Sequence, residues 1–226
     1  MCTRYFMDDA PSELTDIIAA AINSPLADKF IKKFGRPLIT RGEVRPTDIV
    51  PVIAPNKNGL RTVYPMRWGF KNPDHDSTVF NARTETADRK PTFKDAWNSH
   101  RCIIPASYYF EWEHFKSLGG KSKTGDKYAI QPTGATVTWL CGLYRIENGL
   151  PVFVVLTREP GEALRSLHDR MPLILSEDKI NAWINPKTNP STLLQYALTD
   201  MVAEKVENEK SDKSQIPNQM SIKYVT

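Results

Sequence analysis

The second residue, Cys2, offers the most unusual chemistry in this sequence. Initiator methionine is usually removed when the next side chain is small, so we expect a mature chain that begins with cysteine. Its α-amine would titrate near ~7.7–8.0 and its thiol near ~8.5, so both groups are partly nucleophilic at physiological pH. Such an aminothiol can condense with an aldehyde and close to a thiazolidine, or attack an amide as an N-terminal nucleophile. The alternative interpretation is a small apolar residue that begins a first strand.

A polar segment near the middle of the chain reads Asn81-Ala82-Arg83-Thr84-Glu85-Thr86. The segment is predicted to be extended, and alternation in a strand then places Asn81, Arg83 and Glu85 on one face. A face that carries an amide, a guanidinium and a carboxylate is either solvated or part of a site.

Glu111 lies between two aromatic residues in Phe110-Glu111-Trp112, after the apolar run 101–110. This stretch predicts two buried strand segments. One interpretation has Glu111 facing solvent while its neighbours face the core. The other has Glu111 buried, with a pKa raised into the range that suits general acid–base catalysis.

A histidine with charged neighbours occurs late in the chain, in His168-Asp169-Arg170-Met171-Pro172. We predict that it lies at the end of a short helix and before a strand. A lone histidine is more often a hydrogen-bonded structural residue. A histidine at a helix end beside Asp and Arg is nevertheless well placed for acid–base work.

The elements that must position these residues follow from hydrophobic periodicity and turn signals. Apolar residues at helical spacing from Leu14 to Ile22 predict a core-facing helix, and the triplet Trp68-Gly69-Phe70 is either core or a stacking surface. Further helices are predicted at 25–34, 91–99, 161–167, 176–184 and 191–198, strands at 49–54, 60–64, 127–131, 136–146, 152–156 and 202–206, and loops at 42–47 and 117–126. The expected fold is α+β, with a mostly antiparallel β-sheet or barrel-like core flanked by short helices. We expect one domain over residues 1–206 and a polar tail over 207–226.

Composition restricts the class of protein. The chain has 226 residues and is 40% hydrophobic, which is enough for a sizeable core. No apolar run reaches the roughly 18 residues of a membrane span, and the N-terminus lacks a signal-peptide pattern. Three cysteines without zinc-like spacing indicate reduced thiols in the cytosol and no metal site. The net charge of +4 is compatible with a nucleic-acid partner but does not require one.

Taken together, these segments resemble one known family. Five motifs occur in the order and spacing of the SRAP (SOS response-associated peptidase) family. They are Met1-Cys2 followed by Arg4, the Trp68 triplet, the segment from Asn81, the Phe110 triplet and the segment from His168. The resemblance extends from Cys2 to about Val206. It implies a protein that processes abasic sites in single-stranded DNA during the response to DNA damage.

The resemblance also implies a mechanism and its residues. The catalytic set would be Cys2, Asn81, Glu111 and His168, which would form a covalent thiazolidine crosslink between Cys2 and the ring-opened sugar. His168 would promote ring opening, Glu111 would position the amine and move protons, and Asn81 would orient the amine and the sugar. AP-lyase and autopeptidase activities are implied as well, and no metal or organic cofactor is needed.

The resemblance also implies contacts with DNA. The phosphate contacts would be Arg4, Arg83 and Arg170, and the stacking faces would be Trp68 and Trp112. Pro46 and Thr157 would line the same groove. The protein is expected to be a cytoplasmic monomer that associates with the nucleoid when crosslinked, and not with a membrane. Two other functions stay open at this point. One is a cysteine peptidase with an N-terminal nucleophile, which includes removal of Met1, and the other is a non-catalytic binder of single-stranded DNA.

Overall fold

The structure, a computed structural model, describes residues 2–8, 12–72, 75–116 and 122–207. Most of the predicted tail, from residue 208 onward, and residues 117–121 of the predicted loop lie outside the described residues. The division into one domain over 1–206 and a tail stays a prediction. Within the described part, no helix is long and apolar enough to cross a membrane.

Both strands and helices form the fold, with the strands dominant. The helices are α1 (Ser12–Ile22), α2 (Pro25–Phe34), α3 (Thr84–Ala87), α4 (Pro91–Ser99) and α5 (Ile180–Ile184), with 3₁₀ turns at Glu162–Leu164, Glu177–Lys179 and Pro190–Tyr196. The strands are β1 (Tyr5–Met7), β2 (Gly42–Val44), β3 (Ile49–Pro55), β4 (Arg61–Trp68), β5 (Phe70–Lys71), β6 (Thr78–Val79), β7 (Asn81–Arg83), β8 (Arg101–Ala106), β9 (Tyr108–Lys116), β10 (Ser122–Pro132), β11 (Thr138–Glu147), β12 (Leu150–Arg158), β13 (Met171–Pro172) and β14 (Met201–Lys205).

A closed ring of strands forms the centre of the fold. Strands β11, β8, β3, β4 and β12 pair in that order, and β11 also pairs with β12, which closes the ring. The pairs are antiparallel except for β4 with β12, which are parallel. Strand β12 extends beyond the ring and pairs there with β13 and with β7. The predicted α+β fold with a barrel-like core and short helices is confirmed.

A second antiparallel sheet brings the N-terminus to Glu111. Its strand order is β14-β10-β9-β1-β2. Tyr5 pairs with Tyr109, and the Phe110 N–H donates to the Arg4 carbonyl oxygen at 2.9 Å, which continues the ladder toward the start of the chain. The register therefore brings the first residues of the chain alongside Glu111. The buried face of this sheet packs on the ring and forms one hydrophobic core with it, which includes Cys2.

Arg101, which no sequence pattern singled out, is a buried structural cation. Its guanidinium donates to the carbonyl oxygens of residues at the end of α4 and around α5, namely Trp97, Asn98, Trp183, Asn185 and Thr188. Burial lowers the pKa of Arg101 to about 10, so the side chain remains charged at neutral pH. One side chain thus satisfies the carbonyl groups that α4 and α5 leave open against the ring.

Replacing Arg101 with Met should destabilise the protein strongly, because several buried carbonyl groups lose their donor at once. We expect the free energy of unfolding to fall by at least about 3 kcal/mol. Urea unfolding followed by circular dichroism measures the change. The exposed Arg165 provides the matched control, since Arg165→Met should stay within about 0.5 kcal/mol of the wild type. Equal midpoints for the two variants would contradict this role for Arg101.

Several local predictions were wrong, and the tertiary context explains why. The predicted loop 42–47 contains β2, because β1 offers a free edge to Gly42–Val44. Residues 122–126 of the predicted exposed loop belong to β10, where a register shift between Thr124 and Lys127 accommodates a glycine within the strand. The predicted extended segment turns into α3 at Thr84. The helices predicted at 161–167 and 191–198 are 3₁₀ turns, and the helix predicted at 176–184 is a 3₁₀ turn followed by α5. Ile22 was predicted to lie in the core, but its side chain is 52% exposed.

Candidate active site

Cys2 is buried at the edge of the sheet that contains β1. Its side chain is 0% exposed, and its thiol donates to the Arg4 carbonyl oxygen across 3.7 Å. Burial raises the pKa of the Cys2 thiol, and the nearby Glu111 carboxylate raises it further. The thiol therefore stays protonated at rest, and a neighbouring base must remove its proton before it can act as a strong nucleophile.

Glu111 faces the interior, on the same side of β9 as Tyr109. It is 3% exposed, so the interpretation in which it faces solvent is wrong. Burial raises the pKa of Glu111 from 4.5 to about 7. A carboxyl group with this pKa can both accept and donate a proton near neutral pH, which is what general acid–base catalysis requires.

His168 meets Glu111 from the segment that precedes β13. The His168 Nε2 atom lies 3.7 Å from Glu111 Oε2, and the ring is 5% exposed. Two groups approach Nδ1 at 3.0 Å, the Arg170 N–H and the Asp169 carboxylate. The Arg170 amide determines the ring state, because the Asp169 side chain is 84% exposed and competes with water. Nδ1 then accepts, and the ring proton is on Nε2, which faces Glu111.

The environments of Glu111 and His168 shift their pKa values in opposite directions. Burial raises the pKa of Glu111 to about 7 and lowers the pKa of His168, so both groups favour their neutral forms. A neutral carboxyl group beside a neutral imidazole can pass a proton to and from a bound ligand without leaving a charge in the buried site. With the thiol of Cys2 beside them, they form a nucleophile, a base and a second proton carrier. The sequence predicted all three residues, and the structure brings them together.

Asn81, the remaining predicted catalytic residue, is not hydrogen-bonded to this group. It begins β7, which runs parallel to β12 and pairs Asn81 with Val155. Its Oδ1 atom is buried without a hydrogen-bond partner among the described residues. A buried amide oxygen without a partner is free to accept a hydrogen bond from a ligand. A role for Asn81 toward a substrate therefore stays a prediction.

Arg170 is engaged within the protein, and its role as a phosphate contact stays a prediction. Its guanidinium donates to both carboxylate oxygens of Glu85 at 2.8 and 2.9 Å and to the Thr157 carbonyl oxygen at 2.7 Å. Arg170 is 8% exposed and Thr157 is 0% exposed. Both side chains are therefore largely enclosed in the free protein, and Thr157 as a groove-lining residue also stays a prediction. Arg170 fixes the segment that contains His168 against α3.

Trp68 is packed in the core, and its role as a stacking face for a base stays a prediction. It is 0% exposed, its indole N–H donates to the Phe80 carbonyl oxygen at 2.9 Å, and its ring stacks on Phe153. Gly69 follows it at φ 122°, where a Cβ atom would collide with Thr78 and Phe80. The Trp68 triplet is thus explained by packing at a crowded, left-handed position.

The other predicted DNA contacts are on the surface. Arg83 is exposed and has no carboxylate partner within the described residues, and Trp112 and Pro46 are half-buried. Arg4 is 30% exposed and its Nε donates to Glu43 at 3.0 Å. These four residues remain available for contacts of the predicted kind.

A cation cluster around Glu43 was not predicted. Glu43 pairs with Arg4, with Arg45 at 3.3 Å and with Lys127 at 2.6 Å. The Lys127 ammonium lies 3.6 Å from the Phe110 ring centroid and 5.3 Å from that of Trp112. Three cations share one carboxylate, so this face carries positive charge beside aromatic rings. Its residues come from in or beside β1, β2, β9 and β10, which are separate in sequence and meet only in the folded sheet. The sequence therefore could not predict this cluster without the strand order.

His114 is a second residue that sequence reasoning missed. Its ring meets the ring of His168 edge-on with centroids 4.8 Å apart. Its backbone N–H donates to the Leu167 carbonyl oxygen at 3.1 Å, which holds the His168 segment against β9. The contact joins positions 114 and 168, and no local sequence signal connects them. Within the described residues no group of three or more His, Cys, Asp or Glu side chains is arranged to hold a metal ion.

Comparison with solved structures gives the same fold. A protein from Bacteroides thetaiotaomicron superposes with a TM-score of 0.68 at 20% identity, over 92% of this chain and 93% of that chain. A phage-related protein from Bordetella bronchiseptica superposes with a TM-score of 0.65 at 21% identity, over 96% of this chain and all of its own. At these identities the likeness concerns the fold alone.

Comparison of sequences gives the family. The abasic site processing protein YoaM of Bacillus subtilis is 34% identical over 229 residues, which cover 91% of each chain. The abasic site processing protein YobE of the same organism is 35% identical over 156 residues, which cover 62% of this chain and 69% of YobE. A family model described as SOS response associated peptidase (SRAP) matches residues 1–214. The chain therefore belongs to the SRAP family.

Proposed function

We propose that this protein processes abasic sites in single-stranded DNA and does so by forming a covalent thiazolidine crosslink through Cys2. The observation that carries the proposal is the grouping of Cys2, Glu111 and His168 in one buried site with pKa values shifted toward neutral forms. The likeness to relatives named abasic site processing proteins supports the choice of substrate.

The first chemical step opens the abasic sugar. A closed deoxyribose hemiacetal becomes an aldehyde when its anomeric hydroxyl loses a proton and its ring oxygen gains one. Neutral His168 carries the proton for this exchange, since its Nε2–H faces Glu111 and can be replaced from it. Opening the sugar creates the aldehyde carbon on which the later steps act.

The second step joins the protein to the DNA as an imine. The α-amine of Cys2, free once Met1 is removed, attacks the aldehyde carbon, and the nitrogen then loses its proton to Glu111. The resulting hydroxyl leaves as water after it is protonated, and a C=N bond remains. Asn81 orients the amine and the sugar hydroxyls through the amide oxygen that lacks a protein partner.

The third step closes the ring. Glu111 takes the thiol proton, the Cys2 sulfur forms a bond to the imine carbon, and the electron pair of the C=N bond moves to nitrogen, which gains a proton. The product is a thiazolidine with no imine, so the β-elimination that an imine promotes does not follow. If the imine breaks down before the ring closes, the strand is cleaved, which accounts for the lyase activity expected of such a site. No step requires a metal or an organic cofactor.

Surface cations and aromatic rings hold the strand. We assign phosphate contacts to Arg4 and Arg83 and a stacking face to Trp112, with Pro46 beside them. Binding of strands without a lesion should weaken with salt, with a log–log slope of about −0.7 per phosphate neutralised. An affinity that does not change with salt would contradict these contacts.

We also propose that the protein acts as a cytoplasmic monomer and is associated with the nucleoid when it is crosslinked to DNA. Sedimentation measures the oligomeric state, and cell fractionation measures the location.

The direct test is crosslinking to a single-stranded oligonucleotide that contains one abasic site. We expect a protein–DNA band that survives denaturing electrophoresis, with no band when the sugar has first been reduced with borohydride to an alcohol. The reduced strand keeps the same phosphates, so it separates covalent capture from binding alone. A non-catalytic binder would retain both strands equally and crosslink neither. Cleavage of added peptides without any crosslink would instead favour the peptidase that the family description names.

A further inference from the structure

An arginine on β4 has a side chain without a polar partner. Arg67 is half-buried, and among the described residues its guanidinium forms neither a hydrogen bond nor an ion pair. Its Nε atom is buried and unsatisfied. Burial lowers the pKa of Arg67 and the charge of Arg36 lowers it further, an effect that Glu147 only partly offsets. The surroundings therefore disfavour a charge that arginine still carries at neutral pH, and a buried charged donor without an acceptor calls for an explanation.

Arg67 lies on the opposite face of β4 from the site that contains Cys2. Its neighbour Trp68 packs against Tyr5 with ring centroids 5.5 Å apart, and both rings belong to the hydrophobic core that includes Cys2. Successive side chains on a strand point to opposite faces, so Arg67 points away from this core. Its guanidinium lies 5.3 Å from the ring centroid of Phe34, the last residue of α2. The candidate active site therefore does not explain Arg67.

A pocket of about 230 Å³ opens beside the guanidinium of Arg67. Two further cations, Lys33 and Lys71, line this pocket together with Ser77 and Thr78, whose hydroxyl groups can donate hydrogen bonds. Drug-sized ligands need pockets of about 300–1,000 Å³, so this pocket suits a smaller group. Three cations and two hydroxyl groups supply several donors, which matches the several acceptor oxygens of a phosphate group.

Two carboxylates also line the pocket, but neither satisfies Arg67. Glu147 is held by Arg145, whose Nη2 atom lies 2.6 Å from Glu147 Oε1, and it accepts the Lys71 backbone N–H at 2.9 Å. Asp76 is exposed and forms no ion pair with Arg67 in the part of the chain that the structure describes. Because Arg145 compensates the charge of Glu147, the pocket keeps an excess of positive charge.

We propose that this pocket binds a phosphate group, with Arg67 as its principal contact and Lys33 and Lys71 as further contacts. The Phe34 ring supports the guanidinium from one side, and the N–H groups of the guanidinium then pair with the phosphate oxygens. The phosphate group can belong to the backbone of a bound strand or to free phosphate, since both present the same oxygen atoms. This inference goes beyond the proposed function and does not depend on the chemistry of Cys2.

The first test titrates the protein with inorganic phosphate and follows the arginine Nε–H resonances by ¹H–¹⁵N NMR. We expect a saturable shift of the Arg67 resonance, and none when chloride replaces phosphate at the same ionic strength. Arg61 is the internal control, because it is exposed on the same strand and lies 3.7 Å from Glu177. An Arg67 resonance that does not respond, or that responds no more than that of Arg61, would overturn the inference.

The second test compares Arg67→Gln with Arg61→Gln, two variants that lose the same charge from the same strand. Calorimetry should show that phosphate binds at least about tenfold more weakly to Arg67→Gln, because a charge-assisted hydrogen bond is lost. Phosphate binding to Arg61→Gln should match that of the wild type. Circular dichroism checks that both variants are folded. Equal affinities in the two folded variants would rule out Arg67 as the principal contact.

Binding of an undamaged single-stranded oligonucleotide identifies the source of the phosphate group. If the pocket holds a strand phosphate, Arg67→Gln should weaken strand binding and make the log–log salt slope shallower by about 0.7, and inorganic phosphate should compete with the strand. If the pocket holds free phosphate, strand binding should be the same in Arg67→Gln and the wild type. Neither measurement uses an abasic site, so a failure of crosslinking would leave this inference standing.

Discussion

Replacing Cys2 with Ser is expected to abolish the persistent crosslink and leave only a labile adduct. The α-amine survives in this variant, so an imine still forms, but a hydroxyl is a much weaker nucleophile than a thiolate and the ring rarely closes. The adduct should survive electrophoresis only after reduction with borohydride. Nicking of the strand should increase, because the imine that promotes β-elimination persists.

A chain that keeps the thiol but lacks a free amine on the cysteine completes this experiment. A bulky residue inserted after Met1 prevents Met1 removal and leaves the cysteine two positions from the terminus, with its nitrogen in a peptide bond. We expect no crosslink that persists without reductant from this extended protein, because a thiazolidine needs the amine and the thiol on the same residue. A stable crosslink from it would show that the thiol acts alone and would disprove the aminothiol mechanism. Circular dichroism of both proteins should match that of the wild type.

Replacing Glu111 with Gln should slow crosslinking by roughly 10²–10⁴-fold, the usual contribution of a general acid–base group. The amide keeps the shape of the carboxyl group but cannot accept the proton of the amine or the thiol. The wild-type rate should rise with pH through about 7, where Glu111 ionises, and this dependence should disappear in the variant. Single-turnover crosslinking at a series of pH values measures both effects.

Stability supplies the control for the Glu111 variant. Burial raises the pKa of Glu111 from 4.5 to about 7, so the folded state binds this proton more tightly than the unfolded state. The stability that the protonated group contributes is present below about 4.5 and is lost as the pH rises to about 7. Glu111→Gln should therefore be at least as stable as the wild type at pH 8. A variant that is both slow and unstable would indicate a structural role instead.

The sequence was sufficient for the fold class, and it named Cys2, Glu111 and His168 as candidate site residues, but it did not decide which way Glu111 faces. Its aromatic neighbours made either face of β9 plausible as the buried one. The pairing of β9 with β1 decides the matter, and that pairing is a tertiary contact between distant segments. The Trp68 triplet was ambiguous for the same reason, because an aromatic residue beside glycine suits both a core and an exposed platform.

The charged residues were the hardest to predict, since a cation on a strand can contact a phosphate or a carboxylate with equal ease. Arg170 and Glu85 are far apart in sequence, and only the position of α3 beside the His168 segment joins them. Arg101 shows the same limit, because its acceptors are main-chain carbonyl groups that leave no mark on the sequence. Lys127 and Glu43 meet across a strand order that local patterns do not reveal.

The closed ring of strands has a consequence for synthesis of the chain. Strands β3 and β12 bound the ring at residues 49 and 158, so the ring cannot close until most of the protein has left the ribosome. At roughly 5–20 residues per second, this interval is on the order of ten seconds, during which β4 and β8 have unpaired edges. High contact order also makes the final closure slow relative to helix formation. Residue 2 is thus accessible to a processing aminopeptidase during elongation, before the ring and the His168 segment enclose it.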